Sequence, residues 1–197
     1  MMTRSAKIAR KTNETQIEID LNLDGEGKAT VETGVPFMDH MLDLFVKHGL
    51  FDGVIKANGD TEIDDHHTTE DLGIVLGQVV REALGDKKGI RRYGSAFVPM
   101  DDALAQVYID CSDRPHLEFR AEMPQAKVGT FDTELVHEFF WKFALEARIN
   151  LHIIVPYGHN THHIIEAMFK ATARALDAAV QIDPRVKGVP STKGVLG

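Results

Sequence analysis

An α+β fold built from two copies of one unit is what this 197-residue sequence predicts. Three observations carry that expectation. Short stretches of period-two alternation are interleaved with longer stretches of helical period, the pattern of mixed strands and helices. The order of these stretches in the first half returns in the second. The segment His66-His67-Thr68-Thr69-Glu70 also returns as His162-His163-Ile164-Ile165-Glu166, where 162 less 66 and 166 less 70 both give 96. The length suits one ordinary domain or two small ones of about 100 residues each. The repeat places the halves at residues 1–92 and 93–183, with a Gly- and Pro-containing tail at 184–197.

Each element has its own signal. Strict alternation in Gln16-Ile17-Glu18-Ile19-Asp20-Leu21-Asn22-Leu23 predicts a half-exposed strand. Asp24-Gly25-Glu26-Gly27 reads as its turn, and Lys28 to Thr33 as the returning hairpin partner. Apolar residues at helical spacing from Phe37 to Phe45 predict a helix that Gly49 stops, followed by a strand from Asp52 to Asn58. A long amphipathic helix then runs from His66 or Thr68 to Leu84, closed by Gly85. In the second half, strands are expected at Tyr93–Pro99, Leu104–Asp110, His116–Ala121 and Asn150–Val155, and helices at Thr133–Ala147 and His162–Val180. Helices on one face of each small sheet would leave the halves needing each other, or another subunit, for cover.

Composition narrows the function. Hydrophobic residues at 43% and charged residues at 26% suit a chain that buries a core. Lys plus Arg number 22 against 30 Asp plus Glu, a net charge of −8 that argues against nucleic-acid binding. No run approaches the roughly 18 apolar residues of a membrane span. The start Met1-Met2-Thr3-Arg4-Ser5 lacks the apolar core of a signal peptide, and the single Cys111 cannot pair internally, so a cytoplasmic location is expected. Histidine is the outlier, at ten residues.

The repeated His-His-x-x-Glu motif carries the chemistry. Residues three apart share a helix face while adjacent ones diverge by about 100°. His67 with Glu70, and His163 with Glu166, are therefore expected to reach one point each, and His66 and His162 to aim elsewhere. Two copies suggest two metal ions related by the repeat. Imidazole with carboxylate fits Mn, Fe, Zn or Co. His40 is a further ligand candidate, and His137 and Glu138 precede the second motif at nearly the same interval. The blander alternative is a duplicated helix cap whose histidines satisfy internal hydrogen bonds, with Asp64, Asp65 or Thr68 capping the first copy. Arg91-Arg92, Arg114 and Ser191-Thr192-Lys193-Gly194 offer the forks and donors that suit phosphate. Glu14 reads as an exposed acid or a general base, Asp101-Asp102 as a turn with a structural or catalytic role, and His152 as a core histidine. A two-metal phosphoesterase and a metal-stapled structural oligomer are the other readings of such ligands.

Asp39-His40-Met41, Asp64-Asp65-His66-His67-Thr68-Thr69-Glu70-Asp71, Asn160-Thr161-His162-His163-Ile164-Ile165-Glu166-Ala167 and Ser191-Thr192-Lys193-Gly194 together resemble the imidazoleglycerol-phosphate dehydratase family of histidine biosynthesis, from about Arg4 to Gly194. The resemblance implies a duplicated fold like the second domain of ribosomal protein S5. It implies two Mn(II) ions per active site, with other divalent transition metals possible. It further implies a site shared between subunits, and a homo-oligomer of 24 chains built from trimers. The ligands it implies are His40, His66, His67, Glu70, Glu138, His162, His163 and Glu166. Some members read Glu-His-Phe-Phe where this chain reads His137-Glu138-Phe139-Phe140; Glu138 holds the ligand position and His137 sits one step round the helix, so either could bind after a small rotation. Contacts to the small-molecule phosphate substrate are implied for Glu14, His48, Arg92, Arg114, Ser191 and Lys193, while a polar contact of some members is replaced by Leu44. The implied reaction removes water from imidazole glycerol phosphate, with Glu14 the base and Glu70 and Glu166 in the catalytic centre.

Overall fold

The computed structural model describes residues 4–196. Strands β1 (Ser5–Lys11), β2 (Thr15–Asn22), β3 (Ala29–Glu32) and β4 (Asp52–Gly59) form one sheet in the order β1-β2-β4-β3. Strands β5 (Tyr93–Met100), β6 (Ala103–Asp110), β7 (His116–Arg120) and β10 (Asn150–Tyr157) form a second in the order β5-β6-β10-β7. The two orders are the same once chain position is allowed for, and in both sheets only the last pair is parallel. Helices α1 (Pro36–His48), α2 (His66–Leu84), α3 (Leu135–Ala147) and α4 (Thr161–Val180) occupy equivalent places in the two halves. The duplicated α+β architecture is thus present. A small extra hairpin, β8 (Lys127–Val128) with β9 (Phe131–Asp132), precedes α3 and carries no alternation by which to foresee it.

One expected pairing is wrong. The segment after Gly27 does not return beside β2; β3 runs parallel to β4, on its far side. The cause is Asp52 at the start of β4. Its Oδ1 accepts the Glu26 and Lys28 amides at 2.9 and 3.0 Å, and Gly27 N–H donates to Phe51 O at 2.9 Å, which carries the loop across the strand end. The hairpin partner of β2 is instead β1, whose sequence Ser5-Ala6-Lys7-Ile8-Ala9-Arg10-Lys11 has too few apolar residues to announce a strand. Its lysines suit an edge, where charge discourages further pairing.

Helix α2 lies across β1 and β2, and α4 across β5 and β6, while α1 packs on α4 and α3 on α2. Each short helix thus meets the long helix of the other half. Along β2, Ile17, Ile19 and Leu21 are buried and their neighbours face outward, as the alternation requires. Phe45 of α1 meets Phe143 of α3 across the halves with ring centroids 5.9 Å apart, and within the second half Phe140 meets Phe169 of α4 at 4.8 Å. Glycine lets α2 approach α3 closely. A Cβ on Gly73 would stand 2.6 Å from Phe139 O, and one on Gly77 2.7 Å from Phe143 O. His152 is not the core residue expected: it is half-buried on the face of β10 away from the helices, its ring 5.6 Å from that of His116.

Candidate metal centre

Both histidine pairs open their helices. The α4 start is capped by Asn160, whose Oδ1 accepts the amides of His162 at 2.9 Å and His163 at 3.4 Å. At α2 the Asp64 carboxylate accepts the His66 amide at 2.7 Å. Only α4 is thus capped by a side chain; at α2 the N-cap Asp65 makes no such bond, and the Asp64 contact alone steadies the amide of His66.

Three groups converge where α4 meets α1. His40 Nε2 lies 2.8 Å and His162 Nε2 3.0 Å from Glu166 Oε1, and Lys170 Nζ reaches Glu166 Oε2 at 2.5 Å. The donor atoms of His40, His162 and Glu166 all lie within 4.8 Å of one another. Burial pushes the Glu166 carboxyl up, but hydrogen bonds from Lys170, His40 and His162 outweigh it and lower its pKa to about 2. Glu166 is therefore an anion at neutral pH.

The equivalent groups of the first half are looser. His66 Nε2 stands 3.8 Å from Glu70 Oε2. Lys142 of α3 binds Glu70 at 2.7 Å and approaches Glu138 at 3.5 Å. The hydrogen bond from Lys142 lowers the Glu70 carboxyl against the opposing cost of its burial. Glu138 thus faces Glu70 through a shared ammonium, while His137 turns to Phe119 and Trp141, with ring centroids 5.2 and 6.5 Å away.

The helical spacing pairs each glutamate differently from expectation. Glu70 and Glu166 meet His66 and His162, four residues back, not His67 and His163. Residues four apart stack one turn above another, and the other two imidazoles are drawn off by outside carboxylates. His67 Nδ1 meets Asp60 at 2.9 Å; His163 Nδ1 meets Asp102 at 2.6 Å. The Asp60 hydrogen bond raises the His67 imidazole above its usual range against desolvation, helped by the charges of Asp60, Glu14 and Asp64. Asp102, which also accepts the His159 and Asn160 amides, is held well below the usual carboxylate range, chiefly by His163.

The expected phosphate contacts do not gather at these histidines within one chain. His48 closes α1 and lines a cleft of about 450 Å³ with Lys47, Ser95, Phe97, Arg174 and Asp177. Burial, with the charges of Lys170, Arg174 and Lys47, lowers its imidazole pKa, and Glu166 only partly opposes this. Arg92 spends its fork on Asp110, with Nε–Oδ1 2.6 Å and Nη2–Oδ2 3.0 Å, and its Nη1 holds Pro190 O at 2.9 Å. That contact anchors the tail next to Ser191; Lys193 N–H donates to Ser191 Oγ at 3.2 Å. Arg114 is exposed on the loop before β7, and Glu14 is exposed in the β1–β2 turn. Asp60, Lys142 and Lys170 were not foreseen. The two lysines lie four residues after Glu138 and Glu166, a spacing at which a salt bridge is legible; Asp60 carries no such signal.

A duplicated α+β scaffold with imidazole–carboxylate clusters at the starts of equivalent helices defines the class of protein. Residues 33–176 match the family model for imidazoleglycerol-phosphate dehydratase. The chain is 74% identical over 195 residues to the imidazoleglycerol-phosphate dehydratase of Geobacillus kaustophilus and 73% to that of Shouchella clausii, covering 99% of this chain and all of each relative. A crystal structure of the Staphylococcus aureus enzyme of that name superposes with a TM-score of 0.83 at 45% identity, covering 91% of this chain and 99% of that one. The Pyrococcus furiosus structure, in complex with (S)-C348, gives 0.83 at 36% identity, over 96% and 100%. The chain belongs to the imidazoleglycerol-phosphate dehydratase family and is a hydro-lyase of histidine biosynthesis acting on a small molecule. No helix among the described residues is long and apolar enough to cross a membrane.

Proposed function

We propose that this chain converts D-erythro-imidazole glycerol phosphate to imidazole acetol phosphate with two divalent transition-metal ions per active site, Mn(II) first among them. The observation that carries the metal reading is the convergence of two imidazole nitrogens and an ionised carboxylate at His40, His162 and Glu166. Such mixed nitrogen and oxygen donors fit a transition ion. His40, His66, His67, Glu70, Glu138, His162, His163 and Glu166 would hold the pair. Within one chain no hydrogen bond or ion pair among the described residues joins the His66–Glu70–Glu138 group to the His40–His162–Glu166 group. That separation supports completion of each site by another subunit, in a homo-oligomer of 24 chains built from trimers and working in the cytoplasm. We assign the halves to 1–92 and 93–183, with the tail 184–197 reaching the substrate.

The difficulty of the reaction is that the carbon losing its proton has no neighbouring carbonyl. Bound ions would act as Lewis acids on the substrate imidazole, favouring its deprotonated form and so the departure of the adjacent hydroxyl. Glu14 takes the carbon proton; it is exposed and its carboxylate is free of the ligand groups. Glu70 and Glu166, kept anionic by Lys142 and by Lys170 with the two histidines, are suited to hold cations and not to donate protons. The phosphate falls to His48, Arg92, Arg114, Ser191 and Lys193, where guanidinium forks and small donors match its oxygens. Arg92 has to share its fork with Asp110. The proton given up by the substrate's ring nitrogen and the departing hydroxyl together make the water that is lost; the carbon proton taken by Glu14 is balanced by reprotonation of that ring nitrogen, and the enol so formed becomes the ketone.

Metal content and dehydration should be measured before and after chelation. Activity is expected to vanish with the metal and return with Mn(II), without release of inorganic phosphate; full turnover in the stripped protein would end the metal reading, and phosphate release would mean a hydrolase. His67→Asn and His163→Asn should abolish turnover and shrink the assembly in light scattering, and an unchanged particle would refute ligands shared between subunits. Arg114→Ala should weaken substrate and phosphate binding alike, and unaltered affinity for both would remove it from the site.

A further inference from the structure

The two imidazoles that do not touch the motif glutamates are each held by an aspartate from outside the motif. His67 Nδ1 lies 2.9 Å from Asp60, just beyond β4, and His163 Nδ1 lies 2.6 Å from Asp102, in the β5–β6 turn. A carboxylate on Nδ1 makes that nitrogen the donor and leaves Nε2 as the lone pair, with its ring orientation set.

Duplication did not supply these aspartates. In the matched strand order, Thr15 opens β2 as Ala103 opens β6, so the first-half counterpart of Asp102 is Glu14. At the end of β10, where the first half has Asp60 after β4, the chain reads Gly158-His159 and offers no carboxylate. One contact has therefore been reached from two non-equivalent positions. A cap inherited through the repeat would have kept one position; a functional demand on the imidazole explains two. The first half also retains a carboxylate that the second lacks. Glu14 sits beside Asp60, whose amide donates to Glu14 O at 3.1 Å, yet its own side chain is not on His67 Nδ1.

We propose that Asp60 and Asp102 are positioning residues that fix the Nδ1–H form of His67 and His163 and present Nε2 to a metal ion, and that Asp60, by taking over the task its sister half gives to Asp102, frees Glu14 to face substrate. This rests on the metal reading above. It assigns asymmetric jobs to equivalent positions: Asp102 orients a ligand, while Glu14 handles a proton.

The test uses the full chain and four variants, Asp60→Asn, Asp102→Asn, Asp60→Glu and Glu14→Gln. Mn(II) affinity is read by competition with a chromophoric chelator, and imidazole tautomers by ¹⁵N spectra of histidine-labelled, metal-free protein. Asp60→Asn and Asp102→Asn should each lose about 10–100-fold in affinity, with the Nδ1–H signal of His67 or His163 giving way to a mixture. Asp60→Glu should restore much of both. Glu14→Gln should lose turnover while binding Mn(II) as the wild type does. Wild-type affinity in both asparagine variants, or an equal loss in Glu14→Gln, overturns the proposal alone. Uptake of no ion by the wild type overturns the metal reading and the proposal together. Should either asparagine variant unfold, the wild-type spectrum still decides, because an Nε2–H form at His67 or His163 in the metal-free chain contradicts the assignment.

Discussion

His48 shows how the environment of one side chain sets its chemistry. Desolvation by burial lowers its pKa from the ordinary 6.5, and the nearby charges of Lys170, Arg174 and Lys47 add to that, only partly offset by Glu166. The folded chain thus holds the His48 proton less tightly than the unfolded one. The stability this contributes is complete above pH 6.5 and is lost as pH falls below that toward the lowered value. Replacing His48 by Gln is expected to flatten this acid limb in urea melts recorded across the range. Inorganic phosphate in the cleft should raise the His48 midpoint in an NMR titration, since it offsets the surrounding cations; no movement would place the phosphate elsewhere. The histidines at the two helix starts show what a sequence leaves open. Their residue type and spacing are legible in the chain, but their partners are not, because Asp60 and Asp102 approach through turns whose course the sequence pattern does not describe.

At the scale of elements, α2 and α3 approach closely because Gly73 and Gly77 leave room for the α3 backbone. A methyl at Gly77 would meet Phe143 O at 2.7 Å and Ala147 N at 2.8 Å. Gly77→Ala gains helix propensity yet should destabilise by about 1–3 kcal/mol through overpacking, measured by chemical denaturation. A neutral or stabilising result would mean the helices can separate at no cost. Such separation would also move Lys142 and Glu138 away from Glu70, so the same variant should weaken metal uptake. Helix limits were largely readable: α1, α2 and α4 begin and end within a residue or two of their signals, because amphipathic periodicity and glycine stops are local. The limits of strand β3 were readable to within a residue as well, but its pairing was not, since its partner was chosen by Asp52, a residue some twenty positions further on.

For the whole molecule, the crossed packing of α1 on α4 and α3 on α2 joins the halves through one core. The metal-free chain is accordingly expected to unfold in one step. Fluorescence of the single Trp141, on α3, and far-UV circular dichroism should give coincident denaturant curves; two separated transitions would show that each half is stable alone. The duplication, the element order and the histidine-bearing helix starts were determined by the sequence, because repeats, periodicity and spacing are properties of neighbours along a chain. Tertiary structure alone decided which imidazole meets which carboxylate, where β3 pairs, and that Arg92 is already engaged by Asp110. Those outcomes turn on loops that bring distant residues within hydrogen-bond reach, and a difference of a few ångströms there changes a partner without altering any local pattern.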